Sequence, residues 1–150
     1  MSRARDPTAE VDSVDGTART RAIVNAHLAA LCGAGDCATA LREDVALTMM
    51  ETGEVTRGRA SVATLLSYLH RAAFAAPPAV STLVVEADRA LIEAVFAGRH
   101  LGEFAGILPT GRTVRLPYVV AYDLDVATDT IRAMRLYLPL DMLIRQLREI

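Results

Sequence analysis

Acid–base chemistry on this chain has few residues to draw on. His100 and Glu103 flank Leu101 and precede Phe104, in a run punctuated by Gly98, Gly102 and Gly106. Tyr118 and Tyr122 stand on the next apolar run, with Arg115 near its start. Arg135 and Tyr137 share a third run, Asp141 lies just beyond it, and Glu51 ends an earlier one. An imidazole or a carboxylate can move protons, and phenols or a guanidinium can hold a carbonyl or ether oxygen. A carboxylate enclosed by apolar side chains has a raised pKa, which suits such work.

The element that must position most of these groups is Gly98 to Tyr122. Two strand-like runs flank Leu108-Pro-Thr-Gly-Arg112. Proline pre-sets φ for a turn, and glycine accepts a positive φ two residues on, so the stretch predicts a hairpin of two long antiparallel strands. Glycines inside the first arm mark a bulge or a close approach of another group. In a strand, residues of equal parity share a face. Leu101 and Glu103 therefore oppose His100 and Phe104, and a bulge is needed to bring His100 and Glu103 to one pocket. Tyr118 and Tyr122 share a face, as do Arg135, Tyr137 and Pro139. Each residue also has a structural alternative. Glu103 and Arg135 can pair on a solvent face, and Tyr122 and Tyr137 can be core aromatics.

The remaining elements follow from periodicity. Residues 1–16 are polar, charged and aperiodic, and read as a disordered tail; residues 17–150 form the single domain expected at this length. From Thr17 a helix presents Ile23, Val24, His27, Leu28 and Leu31 on one face and stops at Gly33 and Gly35. His27 is either a core histidine or a pocket residue on that face. Asp36 is placed to cap a short second helix through Leu41. Val45–Met50 reads as a strand, and Arg59–Ala75 as a helix ended by Pro77-Pro78. Tyr68 and His70 in that helix have no sequence-level partner and read as structural. Strands are expected over 80–87, 90–106, 112–124 and 130–138, and a short amphipathic helix over 141–147. Helices first and an antiparallel meander afterwards give an α+β fold with helices on one face of the sheet. A strongly curved sheet of this kind encloses a natural ligand site.

Composition excludes several function classes. The formal net charge is −2 and every cationic side chain other than histidine is arginine. Neither a basic stripe nor interleaved aromatics point to nucleic acid or an anionic membrane. The phosphate-loop, HExxH, paired-cysteine metal and nucleophile-elbow motifs are lacking. Cys32 and Cys37 read as reduced thiols. The N-terminal stretch has no apolar signal-peptide core and no apolar run reaches membrane-spanning length, so a cytoplasmic protein is expected.

The stretch Gly102-Glu103-Phe104-Ala-Gly106 followed by Leu108-Pro-Thr-Gly-Arg112 resembles the strand–turn–strand signature of SnoaL-like polyketide cyclases, in the nuclear transport factor 2-like superfamily. The similarity continues in Arg57-Gly-Arg59, in Ile131 through Arg135-Leu-Tyr137, and in Leu143-Ile-Arg-Gln-Leu147, and spans roughly residues 18–147. It implies an α+β cone: a curved antiparallel or mixed sheet, helices on its concave face, a deep hydrophobic pocket and a homodimer formed through the sheet. It also implies no metal and no organic cofactor. Cyclases of this type close rings by aldol chemistry with an acidic residue. Related limonene-1,2-epoxide hydrolases use two Asp and an Arg.

Carried over onto this sequence, Glu103 falls at the hydrolases' first catalytic Asp, and Leu101 at their Arg. Pro139 replaces the acid expected after Tyr137, with Asp141 two residues further on. Leu47 and Met49 fall where the hydrolases hold water with Tyr and Asn. The resemblance thus implies Glu103, His100 and Asp141 as the acid–base set. Tyr118, Tyr137, Arg135, Leu47, Met49, Leu101, Phe104 and Tyr122 would contact an apolar polyketide-like or terpenoid-like small molecule. The implied reaction is cyclisation or isomerisation. A non-catalytic binding protein is the alternative, and epoxide hydrolysis ranks below both.

Overall fold

The structure, a computed structural model, describes residues 7–149, with side chains from Gly16 onward except Ala34. Helix α1 spans Pro7–Ala29. It begins ten residues before Thr17, so the expected tail is helical from Pro7 to Gly16; residues 1–6 lie outside the described part. Proline suits a first helical turn, where its missing N–H costs nothing, and no glycine intervenes before Gly16. The inward face of α1 carries Thr20, Ile23, Val24, His27 and Leu28, all buried. A π-helical turn, Ala30–Ala34, continues it until Gly33 reverses the chain at φ 101°.

The expected second short helix is absent. The Asp36 carboxylate instead accepts the Ala38 amide at 2.9 Å, closing a turn, and the chain enters strand β1 (Leu41–Met49). Leu41 is fully buried and pairs with Ile131, so the sheet ladder outweighs local helix preference. Gly53, at φ 79°, turns the chain into β2 (Val55–Arg57). Helix α2 (Arg59–Ser67) then passes into a second π-helical turn, Tyr68–Ala72. Phe74–Ala75, expected as helix, is instead β3, pairing with His100 and Arg99.

The meander follows as β4 (Ala79–Glu86), β5 (Arg89–His100), β6 (Thr113–Asp125) and β7 (Thr130–Tyr137), closed by α3 (Leu140–Arg148). The sheet has seven strands in the order β2-β1-β7-β6-β5-β3, with β4 also on β5. The pairing of β1 with β7 is parallel and the rest are antiparallel, so the sheet is mixed. Its concave face is a continuous apolar surface. Ile92 and Phe96 on β5, and Val114, Leu116, Val120 and Leu124 on β6, are all buried against the helices. Burying such a side chain stabilises by roughly 1.5–3 kcal/mol, so this alternation fixes the register of the sheet.

The long first arm of the expected hairpin is shorter than its pattern suggests. β5 stops at His100, and residues 101–112 form a loop with one bridge between Phe104 and Ile107. The glycines explain the break. A Cβ on Gly98 would lie 1.9 Å from the Ala75 carbonyl oxygen, and one on Gly102 would lie 2.7 Å from that of Ala72. The amides of Leu101 and Gly102 both donate to the Ala73 carbonyl, at 2.8 and 3.1 Å, which draws the chain away from β6. Ala105 and Gly106, at φ 50° and 76°, then reverse it. Glycine does mark a close backbone approach here, but the approach ends the strand.

Candidate functional site in the interior of the cone

Between the two helices and the concave face lies a cavity whose polar wall is His70, Tyr118 and Tyr122. Leu31 and Leu66 from the helices, and Leu47, Ile92 and Met134 from the sheet, complete much of the rest. No charged side chain lines it. The free space for water centres is about 10 Å³, enough for about one water molecule.

Tyr118 faces inward by strand parity, and its hydroxyl, 4% exposed as a residue, has no hydrogen-bond partner. Burial pushes the pKa of Tyr118 and of Tyr122 up, so both remain phenols. His70 lies four residues after Leu66 on the same helical face. Its Nδ1 is 2.7 Å from the Ala76 carbonyl oxygen. A carbonyl only accepts, so Nδ1 carries the proton and Nε2 keeps a lone pair. No described residue bonds Nε2. The ring lies 5.7 Å from Phe96 and 6.4 Å from Tyr118, centroid to centroid. Burial lowers the His70 pKa; the Ala76 carbonyl opposes this and Arg71 reinforces it.

His27 stands behind this wall, edge-on to Tyr122 at 6.2 Å. Neither ring nitrogen is hydrogen-bonded. Burial, and secondarily His70, bring its pKa to about 4; the Cys37 carbonyl lies near enough to oppose this, outside hydrogen-bonding geometry. Both imidazoles are uncharged at neutral pH. A neutral, water-poor interior with an unpaired phenol and an imidazole lone pair can hold an oxygen and exchange a proton.

The residues expected from sequence divide sharply. Tyr118, Tyr122 and Leu47 line the cavity. Glu103 does not: it sits in the exposed loop after β5, where its backbone carbonyl accepts the Tyr68 hydroxyl. His100 is fully buried but outside the cavity wall, with Nδ1 accepting the Thr110 amide and the ring stacked on Phe74 at 5.2 Å. Asp141 is exposed in the first turn of α3, where a carboxylate offsets the helix dipole. His100, Glu103 and Asp141 therefore form no common site, because β5 ends before it can turn Glu103 inward.

Leu101 is exposed, and Phe104 packs on Phe74 in the loop. Met49 is half-buried and packs against the core outside the cavity wall. Arg135 is on the convex face, paired with Asp123 at 2.8 and 3.3 Å rather than with Glu103. Tyr137 is exposed on that same face. It lines an outer groove of about 600 Å³ together with Glu93, Val95, Pro117 and Val119. Glu51 accepts the Leu140 amide and so helps start α3.

Sequence reasoning missed His70 as a cavity residue. The signal was its four-residue spacing from Leu66 on an apolar stripe. Cys32 and Cys37 are free thiols, exposed and buried respectively. Among the described residues no cluster of three or more His, Cys, Asp or Glu is arranged to hold a metal. Nor is any described helix long and apolar enough to cross a membrane.

The family model of SnoaL-like polyketide cyclases matches residues 22–138. The chain belongs to the SnoaL-like polyketide cyclase family. A candidate polyketide cyclase from Xanthomonas campestris pv. campestris is 25% identical to this SnoaL-like chain, with a TM-score of 0.73 over 88% of this chain and 98% of the other. A candidate SnoaL-like polyketide cyclase from Jannaschia is 18% identical and superposes with a TM-score of 0.77 over 97% of both chains. A protein with a ketosteroid isomerase-like fold from Catenulispora acidiphila is 19% identical, with a TM-score of 0.66 over 83% of this chain and 90% of the other. No curated protein sequence is significantly similar. The SnoaL-like domain thus has the nuclear transport factor 2-like cone as its fold, as its resemblance implied.

Proposed function

We propose that this SnoaL-like protein is a small-molecule enzyme. It promotes cofactor-independent cyclisation or isomerisation of an apolar polyketide-like or terpenoid-like substrate, by acid–base transfer inside the cone, in cytoplasmic secondary-metabolite biosynthesis. The observation that carries this reading is the Tyr118 hydroxyl, buried and unpaired at an apolar cavity. An unsatisfied buried hydroxyl costs about 1–3 kcal/mol, so its retention is accounted for by a ligand oxygen that pairs with it. The test is turnover of a panel of polyketide-like ketones by the native chain and by Tyr118→Phe. Loss of at least tenfold in the variant supports the reading, and equal turnover removes it.

A second reading, a non-catalytic binding protein, draws on the cavity wall, which holds no carboxylate because Glu103 and Asp141 lie exposed outside it. Saturable binding of those ketones without any product, at every pH from 5 to 9, would favour it.

The outer face supports a homodimer. Tyr137 is exposed there beside a groove with Val95 and Val119, and Val84 and Leu91 are exposed around a second groove with Arg89 and Ala121. Exposed apolar surface of this kind marks interaction sites. Light scattering should give twice the chain mass, and Val119→Arg should give the monomer; a monomeric native chain excludes the dimer.

A further inference from the structure

We infer that His70 is the proton-transfer group of this site, acting with the Tyr118 hydroxyl on a neutral, enolisable ketone. This rests on the reading that the interior is the reaction site, and adds the base.

Three observations carry it. The groups expected to do acid–base work, Glu103 and Asp141, are exposed on the outside, and no carboxylate lines the cavity. His70 lines it and is held in one tautomer, with the Nδ1 proton on the Ala76 carbonyl and the Nε2 lone pair unused. That is the arrangement of an oriented general base. The Tyr118 ring, 6.4 Å from that of His70 centroid to centroid, carries an unpaired buried hydroxyl, a donor for the oxygen of the same substrate. A charged ligand would meet no counter-charge in this wall, so the ligand is neutral.

The step balances without a co-reactant. Nε2 takes the proton from a carbon beside the carbonyl. The C–H electron pair forms a carbon–carbon double bond, and the carbonyl π pair moves onto oxygen, where Tyr118 donates a hydrogen bond. In a ketone with a β,γ double bond the charge spreads over a dienolate; the carbonyl re-forms as the γ carbon takes the proton back from Nε2, which leaves the conjugated enone and completes an isomerisation. Attack of the enolate carbon on a second carbonyl closes a ring, and Nε2–H then protonates the new alkoxide.

A six-membered ring needs more room than one water. The wall residues Leu31 and Pro78 adjoin the surface at exposed Cys32, whose thiol lies 3.7 Å from the Pro78 carbonyl oxygen. Gly33 and Gly35 follow directly after this point, so the turn has the backbone freedom to part from Pro78.

The experiment uses the full chain with two probes. Cyclohex-3-enone reports isomerisation through the absorbance of the conjugated enone, and phenol, an enol mimic, reports binding by NMR. His70→Gln keeps an N–H for the Ala76 carbonyl but cannot carry the proton. The expected result is a rate loss of about 100-fold or more with phenol binding retained. Tyr118→Phe should weaken phenol about threefold to tenfold and also slow the reaction. The native rate should rise with pH through an inflexion below that of free histidine, absent in His70→Gln. The groups facing His70 that bear on this are Tyr118, His27 and Arg71.

A native rate in His70→Gln overturns His70 as the base, and a fall in Tyr118→Phe alone would leave the interior site standing. Phenol binding without isomerisation by the native chain overturns the assignment of His70 as well. Neither binding nor isomerisation overturns the interior site together with it.

Discussion

The amide of Thr110 donates to Nδ1 of His100 at 3.1 Å, fastening the far end of the loop to the last residue of β5. The His100 ring also stacks on Phe74, so one side chain joins β5, β3 and the 101–112 loop. His100→Ala should therefore lower stability by about 2–4 kcal/mol, through a lost hydrogen bond and a cavity. Urea unfolding measures this. A change below 1 kcal/mol would show that the loop is held otherwise.

Glu103 and Asp141 are both exposed and take part in neither the cavity nor the core. Glu103→Gln and Asp141→Asn should each change stability by less than about 0.5 kcal/mol and leave turnover intact. A tenfold drop in kcat for Glu103→Gln would return the acid–base role to the loop.

Gly98 has no room for a side chain beside the Ala75 carbonyl. Gly98→Ala must push β3 off the edge of β5, at a cost of about 3 kcal/mol. Thermal unfolding of the variant should begin well below that of the native chain. An unchanged midpoint would mean the two backbones are further apart than described.

His27 gives the chain a pH signature. Its folded pKa is depressed to about 4 from 6.5, so the unfolded chain binds the proton first. The stability linked to this is complete above 6.5 and falls away as pH drops towards 4, by on the order of 3 kcal/mol. His70 contributes with the same sign. His27→Leu should flatten the fall and raise stability near pH 7, since it removes two unpaired buried nitrogens. Denaturation midpoints from pH 4 to 8 decide this; parallel curves for the two proteins would exclude it.

The alternation on β6 and the breaks at Pro77 and Pro139 were legible in the sequence, because each follows from local stereochemistry; the turn expected over Leu108–Arg112 was not found there, since the chain reverses at Ala105 and Gly106 instead. So was the inward face of α1. The end of β5 was not legible. The run from Ala90 to Gly106 continues as a strand pattern, and only the distant backbone of Ala72–Ala76 stops it. The site suffered accordingly. Tyr118, Tyr122 and Leu47 depend on strand parity and came out inside, whereas Glu103 depended on a strand that ends three residues before it. His70 was hidden for a different reason. Its partner is a main-chain carbonyl six residues on, and sequence shows no carbonyl.

The parallel pairing of β1 with β7 bears on the order of events as the chain folds. Leu47 meets Met134 across that seam, and both are walls of the cavity. More than half of the chain lies between them, so this closure is entropically the most demanding in the sheet. The β4–β5–β6 meander can assemble from neighbours, but the interior surface stays incomplete until the last strand arrives. A ribosome that has not released β7 therefore carries helices whose apolar faces have no full sheet to cover, and the interior cavity is among the last parts of the molecule to exist.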